Sequence, residues 1–211
     1  MAINKNGING NFRGKIGNIV AYELNGQQVI RTLPKKRTAP PTPKEVLNRL
    51  KFEASQNWLR PLTDFLRIGF KDYQPTYEGF VAAKSYNQKN AMAYNSVSGF
   101  YIDPSLALVS FGSQILPAEA SADAKPNQEI TFNWSTEIPS AYNDQTMLIA
   151  YDIENKKLRY HTAAAPRNAG TATLKLGKRD QGKTFHLYLA FIADDRSEKS
   201  NSMYLGNVVV L

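Results

Sequence analysis

The chain has 211 residues, of which 42% are hydrophobic and 21% charged, and its 26 lysines and arginines exceed its 18 aspartates and glutamates to give a net charge of +8. This composition is that of an ordinary globular protein, so a buried core is expected and disorder is not the main state. The absence of cysteine excludes disulfides, thiolate zinc sites and a cysteine nucleophile, but it assigns no compartment.

Neither a signal peptide nor a membrane span is expected. The N-terminal residues, "MAINKNGINGNFRGK", contain no apolar run of the length that a signal peptide needs, and no stretch is apolar over the length of a membrane span. The localisation therefore stays open. The alternatives are the cytoplasm, a particle or surface reached by a non-classical route, and secretion with a leader that has been trimmed.

Positive charge is concentrated in the first half of the chain. Residues 1–111 carry fifteen basic and seven acidic side chains, whereas residues 112–211 carry eleven of each. The chain is also longer than the roughly 100–150 residues of a common single domain. Length and charge together predict two units, a basic N-terminal module over 1–103 and a neutral domain over 104–211.

The first predicted element is a β-hairpin over 15–33. Asn25-Gly26 is the strongest short-range hairpin signal, because both residues tolerate the positive φ of a type I′ turn. The register that follows pairs Leu24 with Gln27, Tyr22 with Val29, Val20 with Arg31 and Asn18 with Leu33. The face bearing these pairs is the more hydrophobic. Because a lone hairpin is marginal in water, we expect helices or another chain to cover that face.

A proline-rich connector over 34–43 leads from the hairpin to three helices within about 43–94. Thr42-Pro43-Lys44-Glu45 has the spacing of a capping box and begins the first helix. Pro61 interrupts the helical pattern, so a second short helix is expected from about Leu62 to Phe70. Thr76 is expected to cap the third helix.

From residue 104 onward the hydrophobic period changes from helical to alternating. Seven short runs separated by turn residues predict an antiparallel sandwich: "LALVSF", "EITFNW", "TMLIAYD", "KLRYHTA", "ATLKL", "TFHLYLAFIA" and "SMYLGNVVVL". In the sixth run, alternation predicts an inward set of Phe185, Leu187, Leu189 and Phe191 and an outward set of His186, Tyr188 and Ala190. The fold class expected is an α+β module followed by an all-β domain.

Two resemblances follow from these segments. "EITFNWSTE", "TMLIAYDIENKKLRY" and "TFHLYLAFIADDRSEKSNSMYLGNVVVL" resemble a fibronectin type III domain, a kind of immunoglobulin-like sandwich, over 104–211. Trp134 stands where that family buries its core tryptophan, whereas Phe185 replaces the usual tyrosine and the chain lacks an Arg-Gly-Asp tripeptide. The whole chain is also similar to a family of uncharacterised bacterial proteins, a domain of unknown function, through "FRGKIGNIVAYELNGQQVIRTLPKK", "RPLTDFLRIGFKDY", "AKSYNQKNA" and "SNSMYLGNVVV". This second resemblance implies one two-part protein and no activity.

The sequence predicts no catalytic residue, no cofactor and no metal site. His161 and His186 lie in separate predicted strands without a histidine or cysteine at metal-ligand spacing. Asp194-Asp195 has the surroundings of a solvated hairpin turn rather than of a general acid and base. The basic tetrapeptide "PKKR" is the sharper signal, and the candidate contacts to an anionic partner are Arg31, Lys35, Lys36 and Arg37.

The function expected is that of a non-enzymatic structural or binding protein. It would dock onto another protein, or onto a second copy, through the N-terminal hairpin. The first alternative is nucleic-acid binding by the basic half. The second alternative is carbohydrate binding, since sandwiches often accompany glycan enzymes. The identity of the partner and the oligomeric state do not follow from the sequence.

Overall fold

The structure is a computed structural model that describes residues 2–3, 13–24, 26–71, 73, 79–137 and 143–211. The chain divides into two compact units, Met1–Thr42 and Pro43–Leu211. This division differs from the boundary at 103/104 that charge and hydrophobic period predicted. The helices belong to the same unit as the C-terminal strands, and the shared core described below gives the reason.

The first unit holds a four-stranded antiparallel sheet. Its strands are β1 (Ala2–Ile3), β2 (Gly14–Ile16), β3 (Ile19–Leu24) and β4 (Gln27–Thr32), in the order β1-β4-β3-β2. The predicted register of β3 and β4 is confirmed: Leu24 pairs with Gln27, Tyr22 with Val29 and Val20 with Arg31. Asn25 of the predicted turn lies outside the described residues. Burial is shared between both faces, because Val29 lies on the predicted inner face while Ala21 and Gln28 lie on the other.

Helices form the first part of the second unit. They are α1 (Pro43–Leu59), a 3₁₀ turn (Arg60–Leu62), α2 (Thr63–Gly69) and α3 (Gly79–Asn90). Pro43 occupies the first helical position of α1, where its missing N–H costs nothing, and Pro61 separates α1 from α2. Thr76, the expected cap of the third helix, lies outside the described residues. None of the helices in the described part of the chain is both long and apolar enough to cross a membrane.

A hairpin that the sequence did not predict follows α3. It consists of β5 (Met92–Asn95) and β6 (Gly99–Ile102), and the helix therefore ends at Asn90 rather than near residue 94. Gly99 has a φ of +76°, which suits a residue at the end of a tight turn.

Seven further strands form two antiparallel sheets. The strands are β7 (Ala120–Lys125), β8 (Glu129–Trp134), β9 (Gln145–Asp152), β10 (Lys157–His161), β11 (Thr171–Lys175), β12 (Thr184–Ile192) and β13 (Met203–Val209). One sheet has the order β11-β8-β7 and the other has the order β10-β9-β12-β13. The chain is thus a mixed α+β protein with mostly β structure.

The expected strand "LALVSF" at 106–111 is wrong, because these residues form no strand. They run as irregular chain between the helices and the sheet, where Val109 and Ser110 are fully buried. Their backbone groups are satisfied singly rather than by a ladder. Phe111 N–H donates to the Gly69 carbonyl at 3.0 Å, and Val109 N–H donates to Ser202 Oγ at 2.9 Å.

The sheet β10-β9-β12-β13 of the second unit is buried on both faces. Its inner face packs on the three-stranded sheet through a cluster that includes the predicted inward set Phe185, Leu187, Leu189 and Phe191. Its other face packs on the helices through a cluster that joins Trp58, Leu62 and Phe65 to Tyr188 and Ala190. The predicted outward set is therefore wrong for Tyr188 and Ala190, which are fully buried, while His186 is half-buried. The helices and the sheets share one core.

Candidate functional site

A groove of about 240 Å³ lies between the C-terminal half of α1, strand β6 and the end of β9. Ala54, Asn57 and Trp58 line it from the helix, because positions 54, 57 and 58 share one helical face. Tyr101 and Ile102 line it from β6. A second hollow of about 380 Å³, bounded by Asn57, Arg60, Pro61 and Lys156, adjoins the groove and shares Asn57 and Lys156 with it.

Trp58 forms the floor of this groove. Its side chain packs edge-on against Tyr151, with the ring centroids 5.4 Å apart, and the Tyr151 hydroxyl donates to the Trp58 carbonyl at 2.9 Å. These contacts hold the indole in one place, and only 6% of Trp58 is exposed. Burial, and to a smaller extent the charge of Asp152, raise the pKa of Tyr151, so its hydroxyl stays a proton donor. The indole Nε1–H itself is buried and has no acceptor among the described residues.

Two cations stand at the rim of the groove. Arg60 follows the last residue of α1, and Lys156 lies in the turn between β9 and β10. Both are exposed, and neither forms an ion pair with any residue that the structure describes. Asp152 holds the turn by accepting from the Asn155 backbone N–H at 3.0 Å and from its side-chain amide at 2.8 Å. Lys156 consequently adopts a φ of +54°, a conformation that favours glycine.

Another hollow, of about 680 Å³, lies beside β7 and β8. Glu119, Ser121 and Asn133 are among its lining residues, and among the residues that the structure describes no lysine or arginine lines it. Part of its backbone is used locally, since Ser135 N–H donates to the Glu119 carbonyl at 2.9 Å. The tryptophan in its wall is also satisfied, because Trp134 Nε1–H donates to the Arg167 carbonyl at 2.6 Å. The Trp58 groove is therefore the better candidate site.

A family model for the "Family of unknown function (DUF6266)" matches residues 11–206. The chain belongs to this family. The match covers both compact units of this DUF6266 protein, as the end-to-end resemblance predicted. Comparison with the curated proteins and with the solved structures found no match.

The predicted contacts to an anionic partner lie in the first unit of the DUF6266 chain. Arg31, Lys35, Lys36 and Arg37 are all exposed. The Arg31 guanidinium lies 5.3 Å from the centroid of the Tyr22 ring, and Arg37 donates to the backbone carbonyls of the proline-rich connector. The four residues lie within positions 31–37 of the sequence and belong to the first unit, whereas the Trp58 groove belongs to the second.

The other candidate residues of the chain form hydrogen bonds with neighbouring residues. His161 is exposed, and its Nδ1 accepts from the Ala163 N–H at 3.2 Å. His186 lies 2.9 Å from the Tyr204 hydroxyl, and burial, which outweighs the opposing effect of Asp152, lowers its pKa. Asp195 accepts from Ser197 within an exposed turn. Within the described ranges, no group of three or more histidine, cysteine or carboxylate side chains could hold a metal ion.

Asp180 is a buried carboxylate that the sequence did not single out. Its Oδ2 accepts from Gly177 N–H at 3.1 Å and lies 3.0 Å from Arg159 Nη2, while Lys157 Nζ lies 3.8 Å from Oδ1. Burial would raise the pKa of Asp180, but the hydrogen bond from Gly177 and the charges of Arg159 and Lys157 together lower it. The group fastens β10 to the 3₁₀ turn Lys178–Asp180 and is structural.

Sequence reasoning missed the Trp58 groove. Trp58 fits the apolar stripe of a helix, and a stripe tryptophan is ordinarily a core residue. The groove also needs Tyr101, from a hairpin that was not predicted, and Lys156, from a turn almost 100 positions away in the chain. A lysine at the end of a four-residue hairpin loop, where glycine or asparagine is favoured, is the one signal that the sequence offers.

Proposed function

We propose that this chain is a non-enzymatic binding protein whose first unit docks onto an acidic surface of a partner protein. The observation that carries the proposal is the charge of the compact unit Met1–Thr42, which holds seven basic side chains and one acidic side chain. The second unit holds nineteen basic and seventeen acidic side chains. Six of the eight net positive charges therefore belong to 42 residues.

The size of the first unit also supports a docking role. Domains of about 40 residues usually need disulfides, metals or association to stay folded. The chain has no cysteine, and the strands of this unit expose Ile16, Ile19 and Leu24. A surface outside the unit is thus needed to cover apolar side chains. A partner with carboxylates around an apolar patch complements such a unit better than a second copy does, because two units of +6 repel one another.

We further propose that residues 120–209 form a fibronectin type III-like sandwich. The support is the connectivity: β7 and β8 lie in one sheet, β9 and β10 in the other, β11 returns to the first, and β12 and β13 return to the second. Trp134, at the end of β8, is buried between the sheets and packs edge-on against Phe191 with ring centroids 6.0 Å apart. An experimental structure in which β11 pairs with β10 instead of β8 would refute this assignment.

Nucleic-acid binding is the second candidate function, favoured by the exposed cations from Lys35 to Arg37 beside an arginine that already lies over a tyrosine ring. Both features serve phosphate backbones and stacked bases. Protein docking is preferred because Ile16, Ile19 and Leu24 add an exposed apolar component to the same unit.

The test uses the full chain, a fluorescent polyglutamate peptide and a fluorescent single-stranded oligonucleotide, with binding followed by anisotropy over a range of salt. Polyglutamate is expected to bind, and a variant with Lys35, Lys36 and Arg37 replaced by alanine should weaken that binding about tenfold or more. The matched control replaces Lys125, Lys178 and Arg179, three exposed cations of the second unit, and should leave it unchanged.

The outcomes separate the candidate functions. Tighter binding of the oligonucleotide than of polyglutamate, with a steep loss as salt increases, would favour the nucleic-acid function. Equal losses in the variant and the control would show that only net charge matters, and would refute a specific role for the first unit. A concentration-dependent dimer in light scattering, lost on deletion of residues 1–37, would favour self-association instead.

A further inference from the structure

The Trp58 groove has the size and the wall chemistry of a small-ligand site. Its two adjoining hollows measure about 240 and 380 Å³, and ligand pockets commonly measure a few hundred Å³. Ala54, Phe100, Ile102 and Ile153 provide apolar walls. Such a cleft between a helix and two strands suits a flat apolar body better than an extended chain.

The charged and buried polar side chains of the groove are hydrogen-bond donors. Arg60 and Lys156 carry positive charge at the rim, the Trp58 indole is a donor only, and none of the carboxylates in the described part of the chain lines either hollow. Asn57, which belongs to both hollows, adds an amide. An occupant complementary to this set must accept hydrogen bonds and carry negative charge.

The buried indole N–H is an unusual feature of a residue that lines the groove. More than nine-tenths of buried polar groups in proteins have a hydrogen-bond partner. Trp58 is 94% buried, since 6% of it is exposed, and its Nε1–H has no acceptor among the described residues. Trp134, the other tryptophan of the chain, is equally buried and does have an acceptor. Trp58, which lines the groove, therefore has a hydrogen-bond donor without a partner among the described residues.

The conformation of Lys156 is a second unusual feature of the rim. Its positive φ would be less strained for glycine, and non-glycine residues in such conformations persist where the surroundings impose them, often at functional sites. The Asp152–Asn155 hydrogen bonds impose it here and fix the base of the lysine beside the groove.

We propose that the Trp58 groove binds a small organic anion in which a carboxylate or phosphate is attached to a flat apolar ring. The ring lies between α1 and β6 against Trp58, and the anionic group faces Lys156 and Arg60. This site lies in the second unit and is independent of the docking function proposed for the first.

The test is a titration of the full chain, labelled with ¹⁵N, with benzoate and phenyl phosphate as probes and benzylamine as the cationic counterpart of benzoate. The chain has two tryptophans and therefore gives two indole N–H signals, which the Trp58→Phe variant assigns. The anions are expected to shift the Trp58 signal saturably with a Kd of about 1 mM or tighter, as suits a fragment of this size. The Trp134 signal should stay in place, and benzylamine should shift neither signal.

Lys156→Gly is the decisive variant. The substitution removes the cation at the rim, so anion binding should weaken about tenfold. It also relieves the backbone strain of the positive φ, so the melting temperature should stay equal or rise. Arg196→Gly is the matched control, because Arg196 is also an exposed cation with a positive φ, of 60°, in a turn outside the groove. It should change the melting temperature in the same direction and leave binding unchanged.

Three results would overturn the proposal. The first is the absence of a saturable shift of the Trp58 signal with either anion. The second is equal binding of benzylamine and benzoate. The third is unchanged anion affinity in Lys156→Gly. If the melting temperature of Lys156→Gly fell, the lysine side chain would stabilise the fold. The proposal that Lys156 serves binding at the expense of backbone strain would then be refuted.

Discussion

Replacing Ala190 with glutamate tests whether the helices and the sheet β10-β9-β12-β13 share one core. Ala190 is fully buried on the face of β12 that packs against the helices. A carboxylate placed there without a partner costs about 3–5 kcal/mol, and the added volume costs about 1–3 kcal/mol more. For a domain of this size each kcal/mol lowers the melting temperature by roughly 2–4 °C. The transition of the second unit should therefore fall by at least about 8–16 °C.

The assay is differential scanning calorimetry of the full chain, with Thr173→Glu as the control. Thr173 lies on β11 of the three-stranded sheet and is exposed, so its replacement should change stability by no more than about 0.5 kcal/mol. If Ala190→Glu melted within about 2 °C of the wild type, as the control should, this face would be open to solvent. The boundary at 103/104 would then be correct and the shared core would be refuted.

Three further predictions concern contacts within the second unit. The Tyr188 hydroxyl donates to the Pro104 carbonyl at 2.8 Å, so Tyr188→Phe removes a partly buried hydrogen bond and should cost about 0.5–1.5 kcal/mol in urea denaturation. A Cβ at Gly112 would lie 2.0 Å from the Lys199 carbonyl oxygen, so Gly112→Ala should force the two backbones apart and cost about 1–3 kcal/mol, measured by thermal melting. The pKa of Asp180 is lower in the folded chain than the ordinary value of 3.8, because its hydrogen bond and ion pairs outweigh its burial. The folded state therefore binds a proton at Asp180 less tightly than the unfolded state does. The stability that ionised Asp180 contributes is present above about pH 4 and is lost as the pH falls below that value. The difference in unfolding free energy between wild type and Asp180→Asn should therefore shrink between about pH 5 and pH 2.

The β3–β4 hairpin was predictable because its register depends on local information. A two-residue turn centred on Asn25-Gly26 leaves a single way to pair the flanking strands, and three of the four predicted pairs occur in the β3–β4 ladder. Beyond the ladder, Leu33 N–H donates to the Asn18 carbonyl at 2.7 Å. The sequence also carries a second turn of this kind at Gly17-Asn18, with Gly17 at a φ of +56°. That turn adds β2, and it lies eight residues before Asn25-Gly26 and offers the same kind of local signal.

Strand β12 shows the limit of alternation as a signal. Phe185, Leu187, Leu189 and Phe191 are unambiguous, and all four lie in the core between the sheets. Tyr188 and Ala190 suit an exposed face as well as a buried one, so the pattern alone cannot tell whether another layer covers them. The helices cover them here, and that is a long-range fact about packing.

The sequence wrongly predicted a strand at 106–111 and missed the strand β7 at 120–125, and these two errors have opposite causes. Within "LALVSF", Ala107 and Val109 are buried, and burial does not require a strand if each backbone group finds a separate partner. "ASADAK" contains no β-branched or aromatic residue, yet it pairs with β8 along its whole length. Its pairing depends on a neighbouring strand and not on its own propensity.

Moving the boundary to Thr42 changes what the charge asymmetry means. Residues 43–111 carry eight basic and six acidic side chains, so the helical layer is almost as balanced as the C-terminal strands. The packing of a helical layer on a sheet does not require positive charge, and the net charge of residues 43–111 is only +2. The excess lies on a small unit with few buried side chains, where it is available to a partner. The second unit keeps two cations that form no ion pair with the residues described by the structure, and they lie beside a buried tryptophan. Such a pair suits a small anion better than a polyanion, because two charges neutralise few phosphates. The two proposals therefore assign different ligands to different units, and variants of one unit should leave binding by the other unchanged.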